Sequence, residues 1–260
     1  MIPYTSRNLN QFLIEVAKGN VEGHSPYLRQ GHNDAVAIGA AQNIWSNGGR
    51  YVFTTVGEIV AFVSDSGLDT AAGTGWRKAR VTGIDENYIE QTEIITFAGI
   101  VPVNTQFRYI FISDVCACSE GTEVGSLEVN QGTITATGNT SAKTFLTVDP
   151  LIGRNQQIFD IVPAGKTLVI VKFHLTSRKT SGGQQPDVKL TTFLQPLGLG
   201  KTLAREDTLE TAAAPVLELP FPVPYVLPST WRYWIDVITD TADTEVDGVV
   251  SGFYVENKYF

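Results

Sequence analysis

Two stretches of this 260-residue chain alternate too regularly to be helix. In WRYWIDVIT, Trp231, Tyr233, Ile235 and Val237 fall on one side of an extended backbone, with Arg232 and Asp236 on the other. In TLVIVKFHL, Val169, Val171, Phe173 and Leu175 share one side, and Lys172 and His174 the other. A period of two predicts antiparallel strands with one face on a core and one toward solvent or a neighbour. Further runs rich in β-branched and aromatic residues occupy 51–55, 58–64, 77–82, 88–97, 107–118, 126–130, 133–137, 157–162, 188–194 and 246–256. Turn residues separate them, among them Asn130-Gln131-Gly132, Pro163-Ala164-Gly165 and Ser181-Gly182-Gly183. Many short strands with regular turns predict an all-β chain, an antiparallel β-sandwich or jelly roll.

The N-terminal part departs from that pattern. Leu9, Phe12, Leu13 and Val16 lie at helical spacing, Asn8 suits an N-cap, and Gly19-Asn20 suits a stop. This short helix either packs on its own domain or docks on a neighbouring subunit, which makes those four residues candidate assembly contacts. Residues 21–43 show no sustained period and read as an extended arm, with a short helix at 34–41 capped by Asn33. The expected division is therefore a helix and attachment arm over 1–43 and a sandwich body over 44–260. Trp45, followed by Asn47-Gly48-Gly49, marks the boundary. The glycines supply positive φ for a tight reversal, and the indole anchors it on the body.

Charge limits the partners. Twenty-seven acidic residues against 19 basic give a net charge of −8, which disfavours a nucleic acid or an anionic membrane. No apolar run approaches the roughly 20 residues that cross a bilayer, and the N-terminus lacks secretion-signal features. Folding in a cytoplasm is the expectation, and two cysteines are too few for a disulfide framework.

The stretches that resemble chemical motifs each lack a part. Gly198-Leu199-Gly200-Lys201-Thr202 ends like a phosphate loop, but Gln195 stands where the first glycine belongs. Cys116 and Cys118 put two thiols on one side of a strand, whereas a closed zinc site needs about four ligands. His24, His32 and His174 are scattered, so buried, reduced, metal-free thiols are expected. Asp65, Asp69, Asp85, Glu86 and Glu90 form an acidic region that reads as solvated turns. No nucleophile elbow or metalloprotease motif appears. No catalytic residue, cofactor or metal is expected.

Three blocks together resemble a family. HNDAVAIGAAQNIWSNGGRYVF is similar to the entry segment of a group of tailed-bacteriophage virion proteins, in which an arm runs into a Trp and a Gly-Gly turn. SDSGLDTAAGTGWRKARVTGIDENYIEQTEIITFAG resembles their next block, and IVPAGKTLVIVKFHL their later hairpin. The resemblance spans about residues 33 to 175, and more faintly GVVSGFYVEN. It implies a non-enzymatic structural protein with a β-sandwich body, located in the virion and assembled in the host cytoplasm. Its partners would be other virion proteins and copies of itself. The expected role is a head decoration or cement protein attached through the N-terminal arm. The alternatives are a neck, tail or baseplate component, or a carbohydrate-binding module using Trp76, Tyr88 or Trp234. The segment LAREDTLETAAAPVLELPFPVPYVLP reads as a long loop and edge region, because its prolines cannot sit in central strands.

Overall fold

The computed structural model describes residues 9–118, 129–179, 187–196, 203–209 and 216–260. One helix, α1 (Leu9–Ala17), precedes β1 (His24–Val36), β2 (Gln42–Asn43), β3 (Val60–Ser64), β4 (Lys78–Ile84), β5 (Glu90–Thr96) and β6 (Val103–Asn104). Then come β7 (Phe111–Ala117), β8 (Ile134–Gly138), β9 (Thr144–Val148), β10 (Phe159–Ile161), β11 (Lys166–Lys179) and β12 (Val188–Gln195). The chain closes with β13 (Leu203–Leu209), β14 (Val216–Leu227), β15 (Arg232–Thr239) and β16 (Thr244–Glu256). The all-β, antiparallel class expected from the alternation is what the chain adopts.

The body is two sandwiches, not one. The outer sandwich packs the sheet β1-β16-β11-β14 on the sheet β10-β15-β12-β13, with β2 added against β15. Taking its eight main strands in chain order, the sheets run 1-8-3-6 and 2-7-4-5. The inner sandwich, inserted between β2 and β10, packs β6-β3-β8-β9 on β5-β4-β7. Tyr27, Ile170, Phe173, Leu175, Val246 and Val250 from one outer sheet meet Val188, Leu190, Tyr233, Ile235 and Val237 from the other. Phe62, Ile134, Ala136 and Phe145 meet Ala79, Val81, Ile95 and Val115 in the inserted unit, which also encloses Trp76.

Residues 24–43 correct the expectation of an arm. Residues 24–36 form a strand paired along its length with β16, from His24 opposite Val255 to Val36 opposite Thr244. No helix forms over 34–41. The period was hidden because the inward positions of β1 are Tyr27, Arg29, Gly31, Asn33 and, past a bulge, Val36, so only its two ends offer an aromatic or aliphatic side chain. Gly31 is small by necessity, since a Cβ there would lie 2.4 Å from Ile158 and 2.6 Å from the Ile44 carbonyl oxygen.

Other boundaries shift for equally local reasons. Residues 51–54 are extended but join no ladder; Tyr51 and Phe53 point into an aromatic cluster instead. The proline-bearing segment contains two strands, β13 and β14, and both lie at sheet edges, where a missing N–H costs least. Most of 126–130, the Ser181-Gly182-Gly183 turn, Asn8 and the 198–202 loop lie outside the described residues. In β11 a bulge between Ile170 and Lys172 breaks the expected single face. Val169 and Val171 therefore face outward under α1, while Phe173 and Leu175 face the core. Gly252, opposite the bulge, has no room for a side chain: a Cβ would sit 2.0 Å from the Val169 carbonyl oxygen.

Candidate assembly surface

Helix α1 lies on the outer face of the sheet β1-β16-β11-β14. Val16 is 1% exposed and packs with Val169, Val171, Phe253 and Val255, while Phe12 and Leu13 border this cluster. The Phe12 ring meets Phe253 edge-on at 5.2 Å and His24 at 5.7 Å. Of the four stripe residues, three are thus committed to this chain's own sheet. Leu9, the first helical residue and on the same side as Val16, is 50% exposed, and Ile14, about 140° round the helix from it, is 53% exposed. Sequence periodicity did not pick out Ile14, because it lies off the apolar stripe. The outward side of α1 therefore carries Ile14, flanked by the Lys18–Glu15 pair at 2.9 Å, while Leu9 is exposed at the end of the stripe.

The Trp45 turn sits where the two sandwiches meet. Gly48 and Gly49 have φ of 66° and 69°, in the left-handed region that glycine tolerates. Trp45 is 4% exposed and donates its indole N–H to the Gly49 carbonyl at 3.1 Å. Its ring packs edge-on against Tyr51 and Phe159, at 5.3 Å and 5.6 Å. Ile84, Ile110 and Phe111 from the inserted unit complete the cluster with Phe159 and Ile161 from the outer one. Chain entry and exit run side by side here: Ile158 donates its N–H to the Ile44 carbonyl at 3.0 Å, and Ser46 to Gln156 at 3.3 Å.

Buried polar groups tie the entry segment down. Asp160 on β10 accepts from Tyr27 at 3.0 Å and from Arg29 Nε at 3.0 Å, both on β1. Burial raises the Asp160 carboxyl, and the Arg29 charge beside it opposes that rise. Asn43 donates to the Ile235 carbonyl and to Asp236 and accepts from the Tyr51 N–H at 2.6 Å. Asn33 reaches the Asn43 carbonyl at 3.0 Å. Lys143 points its ammonium over the Tyr51 and Phe145 rings, at 4.1 Å and 4.6 Å. Desolvation there lowers its pKa to about 8.

The residues singled out for chemistry do not converge. Asp65 and Asp69 lie at one end of β4, and Asp85, Glu86 and Glu90 at the other. Asp69 is fully buried rather than solvated, and its carboxylate clamps the loop by accepting from Ser64 and from the N–H groups of Trp76, Gln131 and Gly132. Asp65 caps the Thr133 N–H, and Asp85 the N–H groups of Asn87 and Ile89. Glu90 pairs with Lys166 at 3.1 Å. Cys116 and Cys118 are half-buried, not buried, and no disulfide joins them. Trp76 is 0% exposed, and Trp234 is stacked on Phe193 at 5.0 Å, so neither offers a bare ring face.

No family model matches the chain, and no curated protein matches it. Among solved structures, the infectious bursal disease virus VP2 subviral particle is 11% identical, covering 90% of this chain and 72% of that one, with a TM-score of 0.25. The infectious bursal disease virus Gx strain is 10% identical, covering 92% and 74%, with a TM-score of 0.26. At these scores the superpositions carry no argument.

Proposed function

We propose that the chain is a non-enzymatic structural protein of a virus particle, a capsid decoration or cement component that assembles with copies of itself and with shell proteins. The observation that carries this reading is the strand order of the outer sandwich, 1-8-3-6 on 2-7-4-5. That is the order of a jelly roll, an architecture shared by viral capsid domains, lectins and cupins. Fold alone does not choose among them. We take the first. A cavity between the outer sheets, lined by Ile170, Phe173, Tyr225, Tyr233 and Val250, measures about 10 Å³, room for about one water. The buried carboxylates Asp69 and Asp160 are spent on loop and strand clamps. The resemblance of the entry segment and its following blocks to phage virion proteins points the same way.

Attachment runs through the exposed apolar residues of α1, Leu9 at its N-terminal end and Ile14 on its outward side, rather than through a free arm, because 24–36 and 42–43 are strands of the sandwich. The test is a reconstruction of the particle whose genome encodes the chain. Density for both sandwiches distributed over the shell, with α1 against a neighbour, is the expected result. Absence of the chain from purified particles refutes the virion role. Presence only at the neck or tail refutes decoration and leaves a structural role elsewhere on the particle.

A further inference from the structure

On the outer face of the sheet, beyond α1, three ligand-bearing side chains meet. His32 on β1 lies directly opposite Asp247 on β16, and Glu245 is two residues earlier on the same face of β16. Backbone register alone therefore places one imidazole and two carboxylates together. His32 Nδ1 is 2.8 Å from Asp247 Oδ1 and 3.8 Å from Glu245 Oε1. One donor atom from each lies within 4.8 Å of the others. Donors about 2.0–2.2 Å from a tetrahedral ion stand roughly 3.3 Å apart, a spacing that the two measured distances bracket.

Beyond the donor set, the charge balance favours a cation. Arg178, opposite Glu245 on β11, fixes that carboxylate by donating to both of its oxygens, Nε to Oε2 at 2.7 Å and Nη2 to Oε1 at 2.5 Å, so Oε1 is shared between Arg178 and the triad. Oriented carboxylates of this kind recur behind metal ligands. With a neutral imidazole, the Glu245 and Asp247 carboxylates face one guanidinium, leaving one negative charge for a divalent ion to neutralise. Soft thiols are absent from the triad, and the mixed nitrogen and oxygen donors suit a borderline ion such as zinc.

We propose that His32, Glu245 and Asp247 form a binding site for a divalent transition-metal ion of the zinc class. Asp247 is about half exposed, so the remaining coordination positions open to solvent, where water or a donor from another molecule completes the shell. Calorimetric titration of the full chain with Zn²⁺ tests this. One equivalent should bind, and His32→Gln and Asp247→Asn should each weaken it at least about tenfold, the scale on which even outer-shell changes act. Both substitutions lie on the sheet's outer face, and circular dichroism checks that each variant folds. Without any variant, Co²⁺ should broaden the His32 ring resonances before those of His24 and His174. Failure of the folded chain to bind Zn²⁺ saturably overturns the site and leaves an ion-pair network. So does unchanged affinity in both variants, or broadening that starts at another histidine.

Discussion

Trp45 fills the seam between two sandwiches while its N–H closes its own turn. Trp45→Ala should lose about 3–5 kcal/mol, the range for emptying a large aromatic site, read as a lowered denaturant midpoint. An unchanged midpoint would mean that the seam contributes nothing to stability. Lys143 gives a pH signature instead. Its folded pKa of about 8 lies below the roughly 10.4 of an unfolded lysine. Between those values the unfolded chain binds more protons, so this residue makes stability rise with pH, and below about 8 its penalty is present in full. The difference in melting temperature between wild type and Lys143→Met should therefore shift in favour of wild type from pH 8 to pH 9.5. A flat difference would place the ammonium in solvent.

At the scale of elements, legibility followed who supplies the inward side chains. In β15 they are Tyr233, Ile235 and Val237, and the alternation announced the strand. In β1 they include Arg29 and Asn33, whose partners Asp160 and Asn43 lie far along the chain or across a turn, so no local pattern could announce it. The bulge in β11 was equally silent, because Gly252, the residue that makes room for it, sits on another strand. The surface role of α1 was half legible: the stripe was there, but its own sheet consumes most of it. A chain beginning at Ile44 loses one of the two strands that β16 pairs with, and the Tyr27 and Arg29 partners of Asp160. It should fail to show a cooperative thermal transition, whereas a chain beginning at Val21 should keep one at a lower midpoint. A cooperative transition in the chain beginning at Ile44 would restore the arm reading.

For the whole molecule, the insertion changes how the chain reaches its native state. Strand β1 must find β16 across nearly the full sequence, a pairing that is entropically expensive and slow. The inserted sandwich, residues 60–148, has its strand partners within itself and can order first. Once it has, Ile44 and Ile158 are no longer separated by a long flexible tether. Their side-by-side hydrogen bond becomes the stem of a loop already closed, and the remaining search resembles that of a much shorter chain. Pulsed hydrogen exchange during refolding should find amides of β3, β4, β7 and β8 protected before those of β1 and β16. Simultaneous protection would mean that the two sandwiches fold as one unit. The same order suits synthesis on a ribosome: the inserted unit emerges complete while β16 is still untranslated, and the outer sandwich closes beside a scaffold that has already set.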